Sequence, residues 1–194
     1  MKKTVLILSA AMIFCFQIQS QACVGRIIHI GIIDSINENL LAELISVLIN
    51  ERTGTTVTIK VFNDFREIYD AVKKEEIGIV IENTDHAMTM LNMLKNVDKK
   101  KDYDTSKKEF RGKFNLIMLK PFGFISEENG KREYYYSAVI TEDVLINFPA
   151  LPRVVNKLKG ISNDKRFDKV LKSVKSGKKA KSAAKDFLKK KKLI

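Results

Sequence analysis

Residues 114–141 read FNLIMLKPFGFISEENGKREYYYSAVIT. Phe114 to Phe124 has the composition of a strand, and Pro121 within it marks an edge or a bend, because proline cannot donate to a ladder. Glu128-Asn129-Gly130-Lys131 is a hairpin signal, since asparagine and glycine both tolerate positive φ. Tyr134 to Ile140 is then expected to return antiparallel to the first run, with the hairpin near 125–133. Three consecutive tyrosines on that strand cannot share a face, so Tyr135 is expected to point away from Tyr134 and Tyr136.

Upstream, strand and helix alternate. Arg26 to Ile33 and Thr55 to Phe62 are β-branched runs bounded by turn formers and read as strands. Between them Leu40, Leu41, Leu44, Ile45 and Leu48 form one apolar helical face, which Gly54 ends. Ser35-Ile36-Asn37-Glu38 is a capping box at its start. Phe65, Ile68, Tyr69 and Val72 make a second helix, and Ile77 to Ile81 a third strand. Two successive strand-helix-strand crossovers imply a parallel sheet with helices on both faces. A third helix is expected from Asp85 to about Asn96. Asn96 to Lys113 is charged enough to be read as exposed, part linker and part short helix. After the hairpin, Glu142 to Phe148, Leu151 to Leu158 and two basic segments read as helices. The fold class is therefore α/β, a mostly parallel sheet with one antiparallel strand.

The chain has 194 residues, 35 basic and 23 acidic, for a net charge of +12. Residues 1–22 carry Lys2 and Lys3, an apolar run from Val5 to Phe16 and Ser20-Gln21-Ala22, the pattern of a signal peptide, and 23–194 is then one domain. The apolar run is shorter than a bilayer span requires. Beyond residue 22 only Cys23 remains, which excludes an intramolecular disulfide. Cys23 could carry a lipid anchor or be a plain thiol, since Ser20-Gln21-Ala22 lacks the usual aliphatic residue before a lipidated cysteine. Residues 153–194 hold 16 basic and 3 acidic side chains, whereas 23–152 is mildly acidic. Export argues against nucleic acid as the partner of this basic tail. Ala180, Ala183, Ala184, Phe187 and Leu188 recur at helical spacing opposite Lys181, Lys185, Lys189 and Lys192, and Phe167, Val170, Leu171 and Val174 form a similar stripe. Solvated helix faces explain the lysines, with a membrane or envelope-polymer contact as the other reading.

The order of these segments resembles the substrate-binding proteins of bacterial glycine betaine, choline and carnitine ABC importers, which have the type II periplasmic-binding-protein fold. IGIIDSINENLLAEL (Ile30 to Leu44) is similar to the family's IGSKNFTEQLILAEL, Asn63 to Val72 to GSTEVLYEAL, and Glu76 to Ala87 to GEIDLYPEYTGTA. KPFGF (Lys120 to Phe124) and FPALPRVVNKL (Phe148 to Leu158) are the most specific matches. The resemblance implies a two-lobed clamp whose second lobe would stand between Phe124 and Tyr134. Here a hairpin stands there instead, so a single lobe is expected. The resemblance also implies an ABC permease and ATPase as partners, a betaine-like small molecule as ligand and no cofactor.

Family members hold a quaternary ammonium in an aromatic cage. In this sequence Asn83 replaces the expected aromatic, the polar loop is Asn63-Asp64-Phe65, and there is no tryptophan. Glu82 and Thr84 survive on the third-strand loop, and Glu38 with Ser35 stands near the first. Glu82 reads first as a structural acceptor at a strand end and only second as a ligand contact. Asp34, Asp64 and Asp85 are placed at the carboxyl end of the sheet, where open α/β folds bind ligands. Three carboxylates there favour a cation, although Asp34 and Asp64 also read as helix caps. Phe124, Tyr134 and Tyr136 are the aromatic candidates, for ligand, core or an exposed protein contact. His29 and His86 have no metal-ligating neighbours at suitable spacing, and no phosphate loop or nucleophile motif is present, so no enzyme is expected. Two functions stay open: solute binding for an importer, and an interaction module that kept the fold, acting as a homodimer or on an envelope protein.

Overall fold

A computed structural model describes residues 27–126 and 133–194. The signal segment 1–22, Cys23 and the Asn129-Gly130 turn lie outside the described residues. Those described form one sheet with strand order β2-β1-β3-β6-β4, β5 pairing with β6 beyond β4. The strands are β1 (Ile28–Ile33), β2 (Val57–Phe62), β3 (Ile79–Asn83), β4 (Leu116–Met118), β5 (Gly123–Ser126) and β6 (Glu133–Thr141). β1 is parallel to both β2 and β3, while β6 runs antiparallel to β3, β4 and β5. The expected mostly parallel sheet with one reversed strand is what the chain forms.

β4 and β5 follow one edge of β6 as a single bent run. Leu119 N and Phe122 N still donate to Ala138 O and Tyr136 O, both at 2.8 Å, across the Lys120-Pro121 break. Pro121 thus sits at the bend, as its missing donor requires. Gly123, at φ +111°, lets the chain re-enter the ladder where Ser162 packs against it. Pairing continues to Ser126↔Glu133, so the two flanks of the hairpin are neighbours.

Helices cover both faces. On one lie α1 (Ile36–Thr53), α6 (Leu151–Val155), α7 (Lys165–Lys175) and α8 (Ala180–Lys190); on the other lie α2 (Phe65–Lys73), α3 (Thr84–Met90) and α4 (Lys99–Phe114), with α5 (Glu142–Asn147) following β6. Strand alternation feeds the two cores. Ile28, Ile30, Ile32, Ile79, Ile81, Ala138 and Ile140 pack with α1, whereas Val80, Val139, Leu116 and Met118 pack with Tyr69, Tyr103 and Phe110. Gly31 allows α2 to approach, because a Cβ there would lie 2.9 Å from Ile68 Cγ2. In the tail, Ala183, Ala184, Phe187 and Leu188 are buried while Lys181, Lys185, Lys189 and Lys192 are exposed. Lys185 pairs with Glu51 at 2.8 Å, and Arg52 Nε donates to Leu193 O at 2.6 Å, tying this face to α1.

Three expectations need correction. The third strand is Ile79–Asn83, two residues later than the apolar run Ile77 to Ile81, because Ile77 packs as the loop enters. The third helix ends at Met90, where Asn92 turns to φ +52°. The charged stretch 96–113 is not merely exposed. It holds the 16-residue α4, with Asp102, Tyr103, Ser106 and Phe110 buried and its lysines other than Lys99 facing water. The buried residues recur at helical spacing, but lysines outnumber them and mask the stripe.

Candidate functional site

The residues singled out by sequence gather at the carboxyl edge of the parallel strands. Asp34, Ser35 and Glu38 follow β1, Asp64 follows β2, and Glu82 lies near the end of β3 with Thr84 and Asp85 opening α3. Because β6 runs the other way, its first residues, including Tyr134 and Tyr136, reach the same edge beside Phe124 of β5.

Several of these side chains are occupied in building the fold. Ser35 Oγ accepts from Glu38 N at 3.2 Å, the first half of the capping box. The Glu38 carboxylate reaches back beyond the cap, accepting from Ile33 N at 2.7 Å, while Ser35 N donates to Ile33 O. Asp64 caps α2, accepting from Arg66 N at 2.7 Å and Glu67 N at 3.1 Å. Asp34 is exposed and is not a cap, since Ser35 fills that position. Asn83 caps α3, its side-chain oxygen accepting from Asp85 N and His86 N, both at 3.0 Å. Asp85 pairs with Lys99 at 2.9 Å and Lys95 at 3.4 Å. Burial alone would raise its carboxyl, but the two lysines outweigh that and hold it below its ordinary range.

Two buried carboxyls at this edge lack such compensation among the described residues. Glu82 is 1% exposed and accepts from the Tyr69 hydroxyl and, at 2.8 Å, from Asn83 N. Burial pushes it up to about 8 against both hydrogen bonds, and the charge of Glu38 pushes in the same direction. Glu38, 3% exposed, is pushed up to about 7 by burial against the single Ile33 amide. No lysine or arginine among the described residues pairs with either. His86 Nδ1 lies 3.6 Å from Glu82, but burial lowers the imidazole, which stacks on Phe65 at 4.9 Å. The Tyr69 hydroxyl is raised by burial and then by Glu82, and that of Tyr136 by burial and then by Glu38. Nearby, the Thr84 hydroxyl is buried without a hydrogen-bond partner, and the Asn37 amide donates to Ser126 O at 3.0 Å, joining α1 to β5. Chemically, these are two buried acids, each held toward its protonated form.

The aromatic candidates divide between the two faces. Phe124 stands opposite Tyr135, rings 4.6 Å apart, and Tyr103 meets Tyr135 edge-on at 5.6 Å. Tyr134 and Tyr136 share the other face, edge-on at 6.2 Å. Phe124 therefore does not converge with Tyr134 and Tyr136 into one cage. Tyr69 escaped the sequence reading, because it sits on the apolar stripe of α2 and nothing in that stripe reveals a carboxyl partner 13 residues later.

The chain superposes on the crystal structure of a glycine betaine/carnitine/choline ABC transporter with a TM-score of 0.73 and 14% identity, covering 87% of this chain and 98% of that one. It also superposes on apo YehZ from Escherichia coli, with a TM-score of 0.70 and 14% identity, covering 86% and 99% of the two chains. No family model matches the sequence, and no curated protein does. The likeness to betaine-type binding proteins is thus shown as a likeness of fold.

Proposed function

We propose that this chain is an exported solute-binding protein that takes up a small organic cation of the betaine or choline class for an ABC permease and ATPase. The observation that carries this reading is that Glu38 and Glu82 are both buried, with no lysine or arginine partner among the described residues, at the edge where open α/β sheets bind ligands. Asp34 and Asp64 add exposed negative charge to the same edge. Tyr134 and Tyr136 supply ring faces and edges on the α1 side. In this proposal the hairpin near 125–133 stands in place of a second lobe. The paired flanks at Ser126↔Glu133 support it. A rim open on one side buries less of a ligand than the 70–90% typical of closed sites, so a second copy or a partner protein is expected to cover it.

Calorimetric titration of residues 23–194 with glycine betaine, choline, carnitine and proline betaine tests the proposal. Binding of at least one compound is expected, tightening as the pH rises through about 7 to 8, where the two carboxyls ionise. Heat absent across the panel at both pH 6 and pH 9 would overturn it and leave the interaction-module reading.

A further inference from the structure

The opposite edge of the sheet carries a cleft of about 580 Å³, within the range of about 300–1,000 Å³ usual for small-ligand sites. It lies where Ile77 and Gly78 lead into β3, Leu116 opens β4 and Thr141 closes β6. Its walls are apolar: Tyr69 and Val72 from α2, Met90 from the end of α3, and Phe114 from the end of α4. Two left-handed residues shape it. Glu75 at φ +60° ends the turn after α2, and Asn115 at φ +53° closes α4 through its amide to Phe110 O. The second of these turns leaves the Phe114 ring 42% exposed at the cleft, steadied edge-on by Phe110 at 5.8 Å.

The lip is acidic, although the chain as a whole is strongly basic. Glu75, Glu142 and Asp143 line it with one cation, Lys73. Lys73 is engaged by Asp70 at 3.1 Å, and Glu142 by Arg111 at 3.4 Å. Asp143 accepts from the neutral Asn147 amide at 2.7 Å, and Glu75 has no cationic partner among the described residues. An apolar floor with two uncompensated carboxylates at its mouth selects for an apolar body bearing a positive head.

We propose that this cleft is a second ligand site, for an amphiphilic amine whose apolar body lies against Tyr69, Phe114 and Leu116 and whose ammonium group meets Glu75 and Asp143. The proposal stands on the amino-terminal edge alone and does not depend on the reading of the carboxyl edge.

Three probes with one body and different heads test it: 4-phenylbutylamine, 4-phenylbutanol and 4-phenylbutyrate, titrated into residues 23–194 while the methyl resonances of Met90 and Leu116 are followed by NMR. The amine is expected to bind most tightly and the carboxylate most weakly, with shifts centred on those two methyls. The double variant E75Q/D143N, changed only at the lip, should weaken the amine by about tenfold and leave the alcohol unchanged. Equal binding of the carboxylate, loss of alcohol binding in the double variant, or the absence of shifts at Met90 and Leu116 would overturn the proposal.

Discussion

Replacing Glu82 by glutamine should convert a pH-sensitive fold into a flatter one. In the folded chain this carboxyl is raised from 4.5 to about 8, chiefly by burial. A group raised on folding contributes stability that is fully present below its unfolded pKa and is lost as the pH climbs through the folded value. The window therefore runs from about pH 4.5 to about pH 8. At about 1.4 kcal/mol per pH unit the whole window is worth up to about 5 kcal/mol, a large part of the 5–15 kcal/mol that stabilises an ordinary domain. Glutamine has the shape of the protonated acid. Its carbonyl can accept from Asn83 N, and the Tyr69 hydroxyl can turn to accept from its amide, so both contacts survive in altered polarity. At pH 5 the two proteins should unfold at nearly the same urea concentration. By pH 9 the variant should be the more stable by several kcal/mol, because it has no carboxyl to ionise in a dry site. Subtracting the two unfolding curves at each pH cancels the titrating groups that do not interact with Glu82, which leaves Glu82 itself with smaller contributions from Glu38, Tyr69 and Tyr136. A difference that stays constant from pH 5 to pH 9 would refute the claim that Glu82 is buried without compensation.

Glu38→Gln should behave alike over a narrower window, from about 4.5 to about 7, measured in the same urea series. Ser35→Ala removes the cap of the most buried helix and should cost about 0.5–2 kcal/mol in urea unfolding, with Ser35→Asp largely restoring it. Phe110→Ala should cost about 3–5 kcal/mol, whereas Lys107→Ala on the same helix should stay within about 0.5 kcal/mol; equal effects would deny that α4 is packed. Gly78→Ala would bring a Cβ to 2.5 Å from Val144 Cγ2 and should destabilise by about 1–3 kcal/mol, read as a fall in Tm.

What could be read from the chain divides along a physical line. Periodic features were legible because they need no long-range partner: the α1 stripe, the β-branched strands, and the alternation that separates Tyr135 from Tyr134 and Tyr136. Local chemistry was legible too, in the Ser35 and Asp64 caps and the bend at Pro121. Where a pattern is outweighed by charge it fades: 96–113 reads only as part linker and part short helix, because Tyr103, Ser106 and Phe110 lie among lysines most of which face water. The site was half legible for a related reason. Sequence order places acids at the carboxyl edge, but it does not say which of them will find a lysine. Asp85 finds two, and the carboxyl falls below its ordinary range; Glu82, three residues earlier and on the strand itself, finds a tyrosine and rises instead. That divergence follows from tertiary surroundings: Lys99 and Lys95 pair with Asp85, whereas burial raises Glu82 and the Tyr69 hydrogen bond offsets only part of the rise. The same tyrosine ring lines the cleft at the far edge, so Tyr69→Phe would remove a donor from Glu82 while leaving the cleft wall in place. It should raise the Glu82 carboxyl further and shift the pH dependence of cation binding at the rim upward, without changing amine binding in the cleft. A rim pH profile that stays put in this variant would mean that Glu82 is not the group the cation ionises.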